Sequence, residues 1–432
     1  MRIDLTRRAP RALFFLVVLL LGTILAAYAG KAWLVEHWSA SSRPELWLRA
    51  ASLEPGDAAT WRRLALNENL WLDTGGVRQA VRYLERAAQI DPHSGELWTE
   101  VAAAREREGD PAGAREAYER AQIDYPISAE VAWRYGSFLL YQGNFSAGYA
   151  EIKRALVVDP SLTASAVSEC WQANPNSTPI LNDVLPAAAD DYSTARDFFL
   201  ARNLLDPALA VWNRQLHLSL PVKMPEAIPL VDALIDSDRL GEAQRTWAQA
   251  LQAANWQRAE GRGPSLVFNG GFERAIANGG FDWREISASG ASYAVDGQIA
   301  HSGSHSLRIE LGGTANLDFR NVFQFVPVGP RTRYQFSAFL RTSGVSTDQG
   351  VRFELFDPRH PSEVSILTPN VTGTNPWSPV RAEFTTGQDT DLLEIALRRV
   401  PSWKFDNKIR GTIWIDDVAL APAAFGPNGG PR

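Results

Sequence analysis

The sequence is poor in the residues that support redox and metal chemistry. It has one cysteine, Cys170, in 432 residues, and a single thiol cannot form a disulfide within the chain. Its six histidines do not stand at spacings, from each other or from the cysteine, that are typical of zinc sites. Neither a G-x-S-x-G motif nor a phosphate-binding loop is present. We therefore expect a protein that is not an enzyme and has no catalytic residues.

Long runs of one charge are also absent. The chain has 43 basic and 49 acidic residues and a net charge of −6. The acidic residues are spread out and no basic cluster occurs, so the sequence predicts no nucleic-acid partner. A chain of this length, 45% hydrophobic, can form two or three packed units.

The N-terminus combines a basic flank with an uncharged stretch. Residues 1–11 hold four arginines and one acid, and the nineteen residues 12–30 hold no charge. At about 1.5 Å per residue, such a helix nearly matches a bilayer core of about 30 Å. Because arginines stay on the cytoplasmic side, we predict a cytoplasmic tail (1–11), a transmembrane signal anchor (12–30) in the inner (cytoplasmic) membrane, and periplasmic or otherwise extracytoplasmic domains. The alternative is secretion after signal cleavage near Ala29, since Ala27-Tyr28-Ala29 is an A-x-A site.

A repeat of 34 positions follows the N-terminal segment. Four series keep this interval: Gly75, Gly109 and Gly143; Ala80, Ala114 and Gly148; Leu84, Tyr118 and Ile152; Ala87, Ala121 and Ala155. Such a period is typical of a supersecondary unit stacked on copies of itself. Within one unit, spacings of four and three place Ala80, Leu84 and Ala87 on one helix face. The pattern predicts pairs of antiparallel helices.

One repeat matches a known pattern at its small and bulky positions: Trp98, Val101, Ala102, Gly109, Ala114, Tyr118, Ala121 and Pro126. This copy resembles the tetratricopeptide repeat (TPR). The resemblance implies a helical solenoid whose groove binds a protein partner. Weaker helical patterns continue after Pro160, so we expect TPR-like helices over residues 43–258 and a linker at 259–264.

The composition changes beyond the linker to Phe, Val, Ile, Thr, Ser and Gly. The clearest predicted strands are 306–311, 334–341, 351–356, 380–385, 392–397 and 412–420. Short strands without a helical pattern predict an all-β jelly-roll sandwich over residues 265–421, and a flexible tail at 422–432.

Four segments of this β region carry a second resemblance: 266–273, 302–309, 334–341 and 415–418. They are similar to the carbohydrate-binding-module jelly roll of the galactose-binding-like superfamily. The resemblance implies polysaccharide recognition and one structural Ca²⁺ held by Glu273, Asp416 or Asp417 and backbone oxygens near residues 302–305. Hard oxygen ligands from distant strands suit Ca²⁺. Alternatively, the two aspartates only flank a strand end, one solvated and one hydrogen-bonded to a turn.

The segment 400–410 before the last predicted strand is the candidate glycan site. It places aromatic residues among polar ones, and sugars stack on aromatic rings while their hydroxyls form hydrogen bonds. The candidate residues are Trp403, Phe405, Asn407 and Arg410. In the alternative, Trp403 folds back to cover the edge of the sandwich.

Two functional hypotheses follow. In the first, the protein is a membrane-anchored extracytoplasmic scaffold in envelope or exopolysaccharide assembly, with TPR-like helices for a protein partner and a jelly roll for polysaccharide. In the second, it is an assembly factor that binds no sugar, and its jelly roll is a structural or protein-contact domain.

Overall fold

The computed structural model describes residues 8–67, 71–256 and 265–423, with side chains from residue 11 onward. The chain divides into two compact units, Met1–Pro186 and Ala187–Arg432. The predicted linker 259–264 lies outside the described residues. So do most of the predicted tails at 1–11 and 422–432.

The first unit begins with one long apolar helix. α1 spans Arg8–Ser39. Its part Arg11–Ser39 contains an 18-residue window with a mean hydropathy of 2.6 and no burial, and is long and apolar enough to cross a membrane. A signal sequence has the same properties, so the membrane anchor and the cleavable signal both stay predictions.

Helices of 8 to 17 residues follow in pairs. Their bounds are α2 Pro44–Leu53, α3 Ala58–Ala65, α4 Thr74–Ile90, α5 Gly95–Glu108, α6 Pro111–Asp124, α7 Ala129–Tyr141, α8 Phe145–Val158 and α9 Thr163–Ala173. A 3₁₀ turn, Pro160–Leu162, precedes α9, and the short α10, Ser177–Pro179, runs into a π-helical turn, Ile180–Val184. Helices α3 and α4, α5 and α6, and α7 and α8 pack as neighbours.

The recurring residues build these pairs. Alanines of the repeat series, such as Ala87, Ala121 and Ala155, are completely buried, so neighbouring helices can approach closely. Gly109 ends α5 in the left-handed conformation with φ 89°, which glycine adopts without steric cost. The indole N–H of Trp98 donates to the carbonyl of Pro92 at 2.9 Å. The predicted helical character of this region is confirmed, whereas a TPR solenoid stays a prediction.

The second unit begins with four helices and ends with a sandwich. The helices are α11 Ala189–Leu200, α12 Leu205–His217, α13 Met224–Asp236 and α14 Leu240–Ala253. The strands are β1 Arg284–Glu285, β2 Ala291–Asp296, β3 Ser306–Gly312, β4 Phe319–Pro327, β5 Arg333–Val345, β6 Arg352–Phe356, β7 Ser365–Leu367, β8 Gly373–Thr385, β9 Leu392–Arg399 and β10 Arg410–Pro422.

The strands form two five-stranded antiparallel sheets, ordered β1-β4-β9-β6-β7 and β2-β3-β10-β5-β8. Alternate side chains of both sheets meet in one core, where Phe336 of β5 packs edge-to-face on Phe353 of β6 with ring centroids 5.0 Å apart. The predicted order of a helical region followed by an all-β sandwich is confirmed.

Helices α13 and α14 pack directly on the sandwich. Trp247 of α14 contacts Phe268 and Phe281 edge-to-face, with ring centroids 5.5 and 6.1 Å apart. Asp232 of α13 accepts hydrogen bonds from the Arg284 guanidinium at 2.7 Å and from the Gly280 N–H at 2.8 Å. The sandwich and the last helical pair therefore share one interface.

Candidate functional site

The loop 400–409 joins β9 to β10 and carries the predicted aromatic residues. The side chains of Trp403 and Phe405 are fully exposed, at 101% and 104% of their reference areas. Trp403 therefore does not fold back over the edge of the sandwich. Asn407 lies in the same loop, and Arg410 is the first residue of β10. Their role in glycan binding stays a prediction.

Ser402 fixes the start of this loop. Its N–H donates to Asn316 Oδ1 at 2.9 Å, and its carbonyl accepts from Asn316 Nδ2 at 2.9 Å. Its hydroxyl donates to Asp348 at 2.5 Å and accepts from the Lys404 N–H at 3.1 Å. The hydrogen bond from Ser402 is the main cause that lowers the pKa of the Asp348 carboxyl.

The buried side chain of Arg399 fixes the other end of the loop. Its guanidinium donates to the carbonyls of Asn407 at 3.0 Å and Gln349 at 3.1 Å, and to Asn316 Oδ1 at 2.8 Å. Ile409, next to β10, is completely buried. The loop thus holds its exposed aromatic residues on a fixed base.

The predicted calcium ligand Glu273 binds one side of the turn 301–305. Its Oε1 accepts from the N–H groups of Ser304 at 2.7 Å and His305 at 3.1 Å, and its Oε2 lies 3.1 Å from His305 Nδ1. Desolvation is the largest single effect and raises the pKa of Glu273, but the hydrogen bonds from His305 and Ser304 together lower it below its usual value.

Asp416 and Asp417 bind the other side of the same turn. Asp416 Oδ2 accepts from the N–H groups of His301 at 2.7 Å and Ser302 at 3.1 Å, and its Oδ1 accepts from the Asp417 N–H at 2.7 Å. Asp417 accepts from the Ser302 hydroxyl at 2.6 Å and lies 2.6 Å from His301 Nδ1. Burial raises the pKa of Asp416 to about 6.

The hydrogen-bond donors around Glu273, Asp416 and Asp417 determine whether these acids can bind Ca²⁺. Ca²⁺ takes six to eight oxygen ligands, but here the acid oxygens face N–H and O–H donors. Across the described ranges, no group of three or more His, Cys, Asp or Glu side chains could hold a metal ion. In this hydrogen-bonded form the arrangement does not fit Ca²⁺, and the predicted ion stays a prediction.

A second candidate surface, not predicted from the sequence, lies on the outer side of the sheet β1-β4-β9-β6-β7. Core residues alternate with outward ones in β4, β6 and β9. The pairing places Phe325 opposite Glu394, and Glu394 opposite Phe356. We call this surface the arginine–glutamate face, and it comprises Arg320, Phe323, Phe325, Glu354, Phe356 and Glu394.

Charge is concentrated at the centre of the arginine–glutamate face. Arg320 Nε lies 3.3 Å from both Glu354 Oε2 and Glu394 Oε1, and the guanidinium carbon lies 3.7 Å from the centroid of the Phe356 ring. Burial is the main cause that raises the pKa of Glu394, and Arg320 opposes it. Arg320 Nη2 is buried and forms no hydrogen bond within the described chain, and the ion pair between Arg320 Nε and Glu354 Oε2 lacks hydrogen-bond geometry. Buried polar groups normally form hydrogen bonds, so this cluster keeps unused capacity to donate and accept them.

Residues 264–400 match the family model of the CBM_4_9 carbohydrate binding domain. The C-terminal domain is therefore similar to the carbohydrate binding domains of this family. A search of curated proteins finds no match for this chain.

Several solved structures show low similarity. A CBM4 structure is 16% identical over 36% of this chain and 99% of that one, with a TM-score of 0.27. The enzymatically active domain of tailspike protein 4 from bacteriophage CBA120 is 15% identical over 37% of this chain, with a TM-score of 0.27, and only 21% of the tailspike chain is covered. The MamA protein is 14% identical over 46% of this chain and 92% of that one, with a TM-score of 0.23.

Proposed function

We propose that this protein is a membrane-anchored extracytoplasmic scaffold whose C-terminal domain binds polysaccharide. The observation that carries the proposal is the arginine–glutamate face, which combines aromatic rings with an ion-paired cluster whose hydrogen-bonding capacity is only partly used within the described chain. The family match of residues 264–400 to a carbohydrate binding domain supports it.

The face offers both kinds of contact that a sugar needs. The rings of Phe323 and Phe325 stand 5.6 Å apart at 70°, and apolar C–H groups of a sugar pack on such rings. Arg320 Nη2 can donate to sugar hydroxyls, and Glu354 Oε2, which is ion-paired but accepts no hydrogen bond within the described chain, can accept from them. Hydrogen bonds to charged groups are the stronger ones, so we expect this cluster to contribute most of the affinity.

The helical region supports the scaffold part of the proposal. A groove of about 1190 Å³ in the first unit is open to solvent. Its lining includes Arg107, Glu130, Trp133, Arg134, Tyr141 and Glu169. Aromatic and charged side chains in one groove suit a peptide segment of a protein partner, and the apolar α1 would hold the assembly at the membrane. Envelope or exopolysaccharide assembly would use both binding functions.

Affinity electrophoresis of the full chain in mild detergent, through gels that contain defined polysaccharides, tests the glycan-binding role. We expect retention of the parent and about ten-fold weaker binding for Glu354→Gln, since about 1.4 kcal/mol is ten-fold in affinity and a charged hydrogen bond contributes about 1.5–3 kcal/mol. The control is Glu310→Gln, on β3 in the other sheet.

Two results would contradict the proposal. If no polysaccharide retains the parent, the assembly factor that binds no sugar becomes the better hypothesis. If Glu310→Gln weakens retention as much as Glu354→Gln does, the arginine–glutamate face is not the binding surface.

A further inference from the structure

The loop 400–409 exposes two large aromatic side chains that no described residue of its own unit covers. Trp403 is 101% and Phe405 is 104% exposed. Water normally drives such side chains into the interior. The base of the loop is fixed by Ser402 and by the buried Arg399, so the loop is built to present these rings.

The remaining side chains of this segment give it a positive character. Lys404, Asp406, Lys408 and Arg410 are all exposed, which makes three basic groups and one acid. Tryptophan and phenylalanine flanked by basic residues are typical of segments that lie in the interface of a lipid bilayer. Basic groups there are attracted to anionic headgroups.

The geometry fits a sugar less well. Sugar sites are concave, and their polar groups converge on the ligand. In the described part of the chain, no protein wall faces the fully exposed ring of Trp403 or Phe405. The backbone carbonyl of Asn407 already accepts from Arg399, and the Lys404 ammonium lies 3.6 Å from Asp348.

We propose that the loop 400–409 inserts Trp403 and Phe405 into the interfacial region of an anionic lipid surface. This function is independent of glycan binding at the arginine–glutamate face. A chain that α1 already holds at a membrane meets lipid at a high effective concentration, so a weak insertion becomes a second attachment point.

The test places an environment-sensitive NBD label at position 405 through Phe405→Cys in the full chain, reconstituted in phosphatidylcholine vesicles with or without phosphatidylglycerol. Cys170 is buried, and burial raises the pKa of its thiol to about 12, so the label reacts with the introduced cysteine. The control label stands at Gln388→Cys, in the loop before β9, at the opposite end of that strand.

We expect nitroxide-bearing lipids to quench the label several-fold more at position 405 than at position 388 when phosphatidylglycerol is present. Adding Trp403→Ser, or Lys404→Glu with Lys408→Glu, should remove most of this difference. Thermal unfolding should be unchanged by these variants, since the exposed side chains make few contacts.

Equal quenching at the two positions would overturn the proposal. The proposal also fails if the vesicles give no quenching at position 405 while Trp403→Ala abolishes retention by a polysaccharide, because the loop would then belong to a glycan site.

Discussion

At the scale of single residues, burial and hydrogen bonding shift the pKa values of the acids around the turn 301–305 in opposite directions. Asp416 is completely buried, and desolvation raises its pKa to about 6. Glu273 keeps contact with water, and its hydrogen bonds from the turn lower its pKa. Because N–H donors satisfy both carboxylates, the turn needs no ion to keep its place.

Removing Ca²⁺ should therefore leave the melting temperature of the full chain unchanged. A ligand that binds only the folded state stabilises it by mass action, so an ion held by Glu273, Asp416 and Asp417 would make the protein sensitive to chelation. Calorimetry in excess chelator, compared with added Ca²⁺, measures the effect. A lower melting temperature in chelator would show that the ion displaces the N–H donors, and would favour the three acids as ligands.

At the scale of elements, two glycines let the loop 277–280 approach the helices. A Cβ on Gly280, which has φ 58°, would lie 2.3 Å from Cζ3 of Trp247 in α14. A Cβ on Gly279 would lie 2.3 Å from Cγ2 of Ile228 in α13. A larger residue at either position would force Trp247 or Ile228 to shift.

Comparing Gly280→Ala with Gly344→Ala measures how much the close contact between Gly280 and Trp247 contributes to stability. Gly344 has a similar φ of 61°, but a Cβ added there would meet no atom within 4 Å. In both variants, alanine in the left-handed backbone conformation costs about 1–2 kcal/mol of stability. Only Gly280→Ala should lose a further amount of about 1–3 kcal/mol, because its Cβ overpacks against Trp247. Urea unfolding of the full chain gives the two losses in free energy of unfolding. Equal losses would mean that Trp247 moves aside freely.

Strand β4 shows where sequence reasoning fails at this scale. Six strands with clear alternation were predictable, including 351–356, which forms β6 as Arg352–Phe356. β4, Phe319–Pro327, was not among them, because a bulge interrupts its start and because Gln324 is buried while Phe323 and Phe325 face outward, which removes the polar–apolar alternation. β4 carries Phe323 and Phe325 of the arginine–glutamate face. That face also needs β4, β9 and β6 side by side, and pairing between strands far apart in sequence cannot be read from local patterns.

At the scale of the whole molecule, the change in amino-acid composition and the boundary between the two compact units lie at different residues. The composition changes near residues 259–264, whereas the second compact unit begins at Ala187 and contains helices as well as the sandwich. Helical periodicity reveals a buried face but not the element that covers it. The exposed loop residues Trp403 and Phe405 could be recognised from sequence as a pair of aromatics among polar residues. Their full exposure could not, because it depends on Arg399 and Ser402, which hold the base of the loop.

A fragment of residues 187–423 should fold with a single cooperative transition, and a fragment of residues 265–423 should be markedly less stable. Without the helices, Phe268 and Phe281 lose Trp247, and Arg284 loses the carboxylate of Asp232.

The loss can be estimated from these contacts. Arg284 becomes hydrated when α13 is absent, so the lost ion pair costs about 1 kcal/mol or less, and exposing a large aromatic contact adds about 1.5–3 kcal/mol. Urea unfolding followed by circular dichroism measures the difference. In the longer fragment, Trp247→Ala should reproduce part of the loss. Equal free energies of unfolding for the two fragments would show that the sandwich is stable on its own and that the helical pair merely rests against it.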